Sequence, residues 1–380
     1  MGQTHVVVSF LVSLVILFLP LINGGLSSTN ERTLDGSEKW GYVEVRPKAH
    51  MFWWYYKSPY TTQDPNNPWP IILWLSGGPG SSGVGNGDFN GVGPLDSSLK
   101  PRNLTWLRKA DLLFVDNPVG SGYSYVEDEE LLAKTDEDVA TDLTTLLIQL
   151  FNKNQTLQKM PLYILGGSYG AKFAVTLGLS TLKAIQDKKL KLLLGGIHTI
   201  VVKKIKQQIA NGSWKAAAES GTHLVQVIHA YSNFVDLTNF LLDDGSSSYD
   251  DLERLMNGVI RNKLKIIPEN VRWVFLSPLV SGNMGGDFMK PRINELDVLC
   301  GAKGTETWVK KLKWKGLETY LRMNRTPIYC EDEKVTKGFT KSHKNLHFYW
   351  ILGAGHNPPE DQPCVTFNMV GDITNYQGVV

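Results

Sequence analysis

With 380 residues, 42% hydrophobic content and 39 basic against 37 acidic side chains, the chain has the composition of a folded protein with one large core or two smaller ones. A formal net charge of +2 leaves no field to steer nucleic acid or a membrane surface.

Residues 6–22, VVVSFLVSLVILFLPLI, are almost wholly apolar and are followed by Asn23, Gly24 and Gly25. They read as a signal peptide over 1–25 whose basic end is weak, with a signal anchor as the alternative at this length. Secretion, or delivery to a lysosome or vacuole, is then expected for residues 26–380, with no membrane contact after signal removal. Sequons at Asn103, Asn154, Asn211 and Asn324 agree with that route.

Residues 40–56, WGYVEVRPKAHMFWWYY, alternate and are rich in aromatic and β-branched side chains, which predicts a hairpin. An apolar run at 70–75 ends in SGGPGSSG and predicts a buried strand entering a glycine loop. A second such strand covers 112–115. Thr135 with Asp138 forms a capping box ahead of Val139, Leu143, Leu147 and Leu150, apolar positions at helical spacing. A strand at 162–165, a turn holding Ser168 and an apolar helix to about residue 185 follow. Strand, helix, strand, turn and helix in this order predict an α/β fold with a mostly parallel sheet. From about 186 to 270 the chain is polar and helix-prone, with lysines in clusters, and reads as a helical lid insertion within one domain. Near the end, LHFYWILGAGHNPP predicts a buried strand that delivers His356 into a glycine-flanked loop, where Pro358 and Pro359 stop regular structure. The three cysteines, Cys300, Cys330 and Cys364, allow one internal disulfide, and their spacing matches no metal site. No cofactor is expected.

Gly166-Gly167-Ser168-Tyr169-Gly170 has the G-x-S-x-G pattern, with a strand before it and a helix after it. That setting forces a sharp turn and leaves the serine exposed at its tip. A serine hydroxyl is a poor nucleophile until an imidazole accepts its proton and an acid orients that imidazole. Asp297 and His356 follow Ser168 in the order such folds use. Gly77 and Gly78, in the loop after the earlier strand, and the Tyr169 N–H are candidate donors to an oxyanion. The same loop contains Gly78-x-Gly80-x-x-Gly83, formally a dinucleotide fingerprint. It is rejected because residues 83–93 hold five glycines, a poor start for the helix a pyrophosphate needs.

These stretches, with GPLDSSLKPRNLTWLRKADLLFVDNPVGSGYSYV, LMNGVIRNKLKIIPE and WVKKLKW, resemble the serine carboxypeptidases, the S10 family, over most of residues 40–363. The resemblance implies an α/β-hydrolase with a helical insertion, a Ser168-Asp297-His356 triad and an oxyanion hole at Gly78 and Tyr169. It also implies removal of C-terminal residues from peptides or proteins through an acyl-enzyme, without metal. In that family an amide side chain and two glutamates hold the substrate's terminal carboxylate. The corresponding positions here are Ser76, beside Gly77, and Gly91 and Gly167. Asn357 and Pro358 also depart from the family's pair after the histidine, and the segments after 196 and before Asp297 are short. A fold that binds peptides without turning them over, and an esterase that lacks the carboxylate clamp, are the alternative readings.

Overall fold

The computed structural model describes residues 28–62, 64, 67–200, 249–284, 309–310, 312, 314–330, 335–344 and 346–374. Residues 1–25, where a signal peptide is expected, lie outside the described residues, as do Asn211, Asp297, Cys300 and much of the expected insertion.

The aromatic alternation forms the expected hairpin, β2 (Glu38–Arg46) and β3 (Ala49–Tyr56), whose turn places Lys48 at a φ of 65°. With β1 (Ser28–Arg32) they make the antiparallel end of a larger sheet. β4 (Ile71–Leu75), β5 (Asp111–Val115), β7 (Pro161–Gly167) and β8 (Leu193–Ile200) continue it, and the short β6 (Tyr125–Val126) pairs with β3. The order is β1-β2-β3-β5-β4-β7-β8, with β5, β4, β7 and β8 mutually parallel. From β4 the chain goes to β5 on one side and later to β7 on the other. The carboxyl ends of β4 and β7 therefore flank a topological switch point, where open α/β sheets form their crevices.

Alternate strand residues feed two cores. Ile71, Leu73 and Leu75 pack with Leu143 and Leu147 of helix α1 (Asp136–Phe151) and Phe173 and Leu177 of helix α2 (Gly170–Gln186). Ile72 and Trp74 face the other way, towards Phe89, Trp106, Met256 and Trp273. Each such side chain contributes roughly 1.5–3 kcal/mol when fully buried. The capping box forms as expected: Asp138 N–H donates to Thr135 Oγ1 at 3.1 Å and Thr135 N–H to Asp138 Oδ2 at 3.0 Å. No helix among the described residues is long and apolar enough to cross a membrane.

Three segments differ from the sequence reading. The helical insertion does not start near 186, because Leu193–Ile200 pairs in parallel with β7 as a sheet strand. Helices lie at Tyr249–Leu255 and Arg261–Leu264 among the described residues. The five-glycine stretch forms a π-helical segment, Gly83–Val92, with Gly93 as its C-cap and Ser82 as its N-cap, whose Oγ accepts from Gly85 N–H at 2.8 Å. Its glycines serve close packing: a Cβ on Gly85 would lie 2.1 Å from the Trp273 ring, and one on Gly87 would lie 2.3 Å from Trp74. Finally, the strand ahead of His356, β11 (Leu346–Ile351), is half-buried and, among the described residues, pairs in an antiparallel sheet with β10 (Gly338–His343) and β9 (Thr326–Ile328) rather than in the large sheet. A disulfide, Cys330–Cys364, staples that sheet to the helix Pro363–Ile373.

One ion pair ties α1 to the hairpin. Arg46 donates through Nε to Asp142 Oδ1 at 2.7 Å and through Nη2 to Oδ2 at 3.1 Å and to the Leu131 carbonyl at 2.8 Å. Asp142 is buried, and burial pushes its carboxyl up against the opposing pull of Arg46. Arg46 is 31% exposed, so water reaches part of the space it vacates, and Arg46→Ala is expected to lower the unfolding free energy by about 1–3 kcal/mol in urea titrations. Adding Asp142→Asn should restore part of that loss.

Candidate active site

β4 and β7 pair with Leu75 opposite Gly166, so Ser76-Gly77 and Gly167-Ser168 leave the sheet side by side. Ser168 takes a φ of 58°, in the left-handed region that costs a side chain of this type about 1 kcal/mol or more. The chain turns there at once into α2. Gly166 and Gly170 permit the turn, since a Cβ on Gly166 would lie 2.1 Å from the Gly170 carbonyl oxygen.

Ser168 Oγ lies 2.9 Å from His356 Nε2, across 188 residues of sequence. Both side chains are half-buried. The His356 loop is fixed on each flank. Gly355 N–H donates to Asp361 Oδ2 at 2.7 Å, and the Asn357 amide donates to the Asn90 carbonyl at 3.1 Å and to Glu360 Oε2 at 2.8 Å. Asn357 thereby joins the histidine loop to the π-helical segment. Asp297 lies outside the described residues.

The loop after β4 closes over the serine. An ideal Cβ on Gly77 would sit 2.7 Å from both Ser168 Oγ and the Tyr169 nitrogen, so this backbone passes directly above the elbow. Gly78 follows at a φ of 104°, with a cis bond to Pro79. Asp116, at the end of β5, holds the loop: its carboxylate accepts from Ser82 Oγ at 2.5 Å, from Val84 N–H at 3.0 Å and from Tyr123 N–H at 2.8 Å. Burial pushes its carboxyl up to about 6 against those hydrogen bonds.

On the other side of the elbow lies Trp74, whose indole N–H donates to Ser76 Oγ at 3.0 Å. An indole only donates, so the Ser76 proton is left to point elsewhere. A Cβ on Gly167 would meet the Trp74 ring at 3.3 Å, and one on Gly91 would meet the Asn86 carbonyl at 3.2 Å. Ser76 and Gly167 thus meet the Trp74 ring with one hydroxyl and no side-chain charge of their own, while Gly91 lies in the π-helical segment.

A serine and an imidazole in hydrogen-bond contact at a strand–helix elbow, beneath a glycine loop, form an arrangement suited to acyl transfer. The sequence profile of the serine carboxypeptidase family, Peptidase S10, matches residues 28–211 and 294–375. The chain belongs to that family. It is 47% identical over 444 positions to serine carboxypeptidase-like 51 of Arabidopsis thaliana, covering 94% of this chain and 96% of that protein. It is 35% identical over 442 positions to the retinoid-inducible serine carboxypeptidase of Homo sapiens, covering 95% and 97%. Both spans exceed the 380 residues of the chain, so each relative carries segments without a counterpart here. The fold is that of Kex1(delta)p, a prohormone-processing carboxypeptidase from Saccharomyces cerevisiae, with a TM-score of 0.69 over 89% of this chain and 91% of that one at 17% identity. Family and fold together support a hydrolase acting at peptide C-termini.

Sequence reasoning missed the buttress at Asp116, which only a DN pair at a strand end could have signalled, and the Trp74–Ser76 contact. It also missed Asp88, fully buried in the π-helical segment. Asp88 Oδ2 accepts from Tyr56 OH at 2.8 Å, and Oδ1 has no hydrogen-bond partner among the described residues. Burial pushes its carboxyl up to about 8 against the Tyr56 hydrogen bond.

Between about pH 4 and pH 8 the unfolded chain therefore releases a proton that the folded chain keeps at Asp88, and stability falls across that window as pH rises. Asp88→Asn is expected to flatten this slope and to stabilise the protein most at pH 8, as read by urea unfolding at a series of pH values. Cys364→Ser opens a loop spanning a sequence separation of 34 residues and should cost about 2–4 kcal/mol, measured the same way with and without reductant.

Proposed function

We propose that the chain is a secreted serine carboxypeptidase that releases C-terminal residues from peptides through an acyl-enzyme on Ser168. The hydrogen bond of 2.9 Å between Ser168 Oγ and His356 Nε2, at a left-handed elbow, carries the reading. Oγ bonds to the scissile carbonyl carbon while Nε2 takes its proton. The carbonyl electron pair moves to oxygen, where the N–H groups of Gly78 and Tyr169 stabilise the charge. Collapse of this intermediate breaks the C–N bond, and His356 passes its proton to the leaving amine. Water then loses a proton to His356 as it attacks the acyl carbon, and Ser168 departs with that proton. Asp297 is the acid assigned to orient His356, and no step calls for a metal.

The substrate's terminus would rest against Ser76, Gly77, Gly91 and Gly167. A hydrogen bond to a charged group contributes roughly 1.5–3 kcal/mol, and two glycines supply no side chain to make one. Selection for a free carboxylate is therefore weak in this reading. The same two glycines favour a second reading, a binding protein with impaired catalysis. Export is supported by the Cys330–Cys364 bridge and by surface sequons, with Asn103 and Asn324 exposed and Asn154 half-buried.

Turnover of matched free-acid and C-terminally amidated peptides tests the reading. Both should be cleaved with kcat/KM values within about tenfold of each other, and Ser168→Ala should lower each by about 10³-fold or more. Peptide binding without any turnover that depends on Ser168 would favour the binding protein instead.

A further inference from the structure

Tyr169 gives its backbone N–H to the elbow, but its side chain points away into a charged triangle that acyl transfer does not by itself require. The phenol donates to Asp136 Oδ1 at 3.0 Å and accepts from Lys172 Nζ at 2.7 Å. Lys172 Nζ lies 2.6 Å from Asp136 Oδ2, which closes the triangle. The same ammonium stands 4.3 Å from the centroid of the Tyr169 ring, and Phe173 packs edge-on to that ring at 5.0 Å. Tyr169 and Asp136 are buried, and Lys172 is largely covered.

The three residues come from two elements. Asp136 is the first residue of α1, where the N-terminal dipole favours an anion. Tyr169 immediately precedes α2 without a side-chain cap of its own, and Lys172 is in the first turn of α2. The triangle therefore clamps the start of the nucleophile helix to the start of α1, with the Tyr169 ring as the lever between them. Burying a charged pair seldom stabilises a fold relative to apolar packing. A fixed direction for the peptide group between Ser168 and Tyr169 is what this clamp supplies. That peptide has to hold its N–H under Gly77 while its neighbour sits at a φ of 58°.

We propose that Lys172 and Asp136 are positioning residues that act through Tyr169 to aim its N–H at the oxyanion. The proposal rests on the hydrolase reading of Ser168. An N–H that tilts away from the oxyanion loses its effect in the transition state while the bound substrate is little affected, so the loss belongs in kcat rather than in KM.

The test measures kcat and KM on one peptide and on one activated ester for wild type, Lys172→Met, Asp136→Asn, Lys172→Arg and Tyr169→Phe, with thermal unfolding of each. Lys172→Met and Asp136→Asn should each lower kcat about 10- to 100-fold with KM within about twofold, since full loss of one donor costs ~10²–10³. The double variant should be no worse than the poorer single, because both break one unit. Lys172→Arg keeps a cation beside Asp136 but exchanges a compact ammonium for a planar guanidinium, so its kcat should fall between those of wild type and Lys172→Met. Tyr169→Phe keeps the ring and should show the same kcat loss, so the proposal stays testable if either charge variant fails to fold. A folded variant with lowered thermal stability and unchanged kcat, or a loss confined to KM, would overturn the proposal alone. Wild-type protein without Ser168-dependent turnover would remove the hydrolase reading and the proposal with it.

Discussion

Ser168 is held where an L-amino acid resists being held, at a φ of 58° between the last residue of β7 and the first turn of α2. The surroundings over-determine that conformation. Gly166 and Gly170 bring strand and helix into contact, Gly77 lies directly above the hydroxyl, and the buried Tyr169 ring anchors the residue that follows. Strain of this kind persists where the neighbouring packing outweighs it, and it aims a hydroxyl outward from the sheet. The parallel strands, the glycine loop and the two helices of this face all serve that one backbone position.

The partner of Ser168 arrives by a different route. His356 follows β11, whose hydrogen bonds run to β10, and among the described residues that sheet has no pairing with the one that carries the serine. A contact of 2.9 Å between groups on two sheets needs ties beyond sheet pairing. Asn357 to the Asn90 carbonyl, Gly355 to Asp361, and the Cys330–Cys364 bridge provide them. The π-helical segment Gly83–Val92 is the common abutment. It is held by Ser82 and Asp116 at its start, by packing on Trp74 and Trp273 in its middle, and by Asn357 near its end.

The elbow was legible in the sequence because its signals are local and physical: an apolar run, two glycines, a serine, and apolar helical spacing after it. The hairpin and the capping box were legible for the same reason. What failed to show was set by distant partners. β8 reads poorly because its Gly195-Gly196 pair dilutes an apolar run, yet a Cβ on Gly195 would lie 2.7 Å from the Tyr163 ring, so the glycine serves packing between strands. The glycines of 83–92 likewise suggest a loop until two tryptophan faces are placed against them. Asp136 and Lys172 are ordinary helix-end residues in the sequence, and only the meeting of α1 with α2 makes them a pair. Asp297 rests on chain order and family resemblance alone.

The central claim is that Ser168 is a nucleophile activated by His356. The most direct measurement is intact-mass and peptide mass spectrometry after exposure to an active-site organophosphonate. The account predicts a single adduct on Ser168 of the folded protein, absent in His356→Ala. No adduct, an adduct on another residue, or equal labelling in His356→Ala would contradict it.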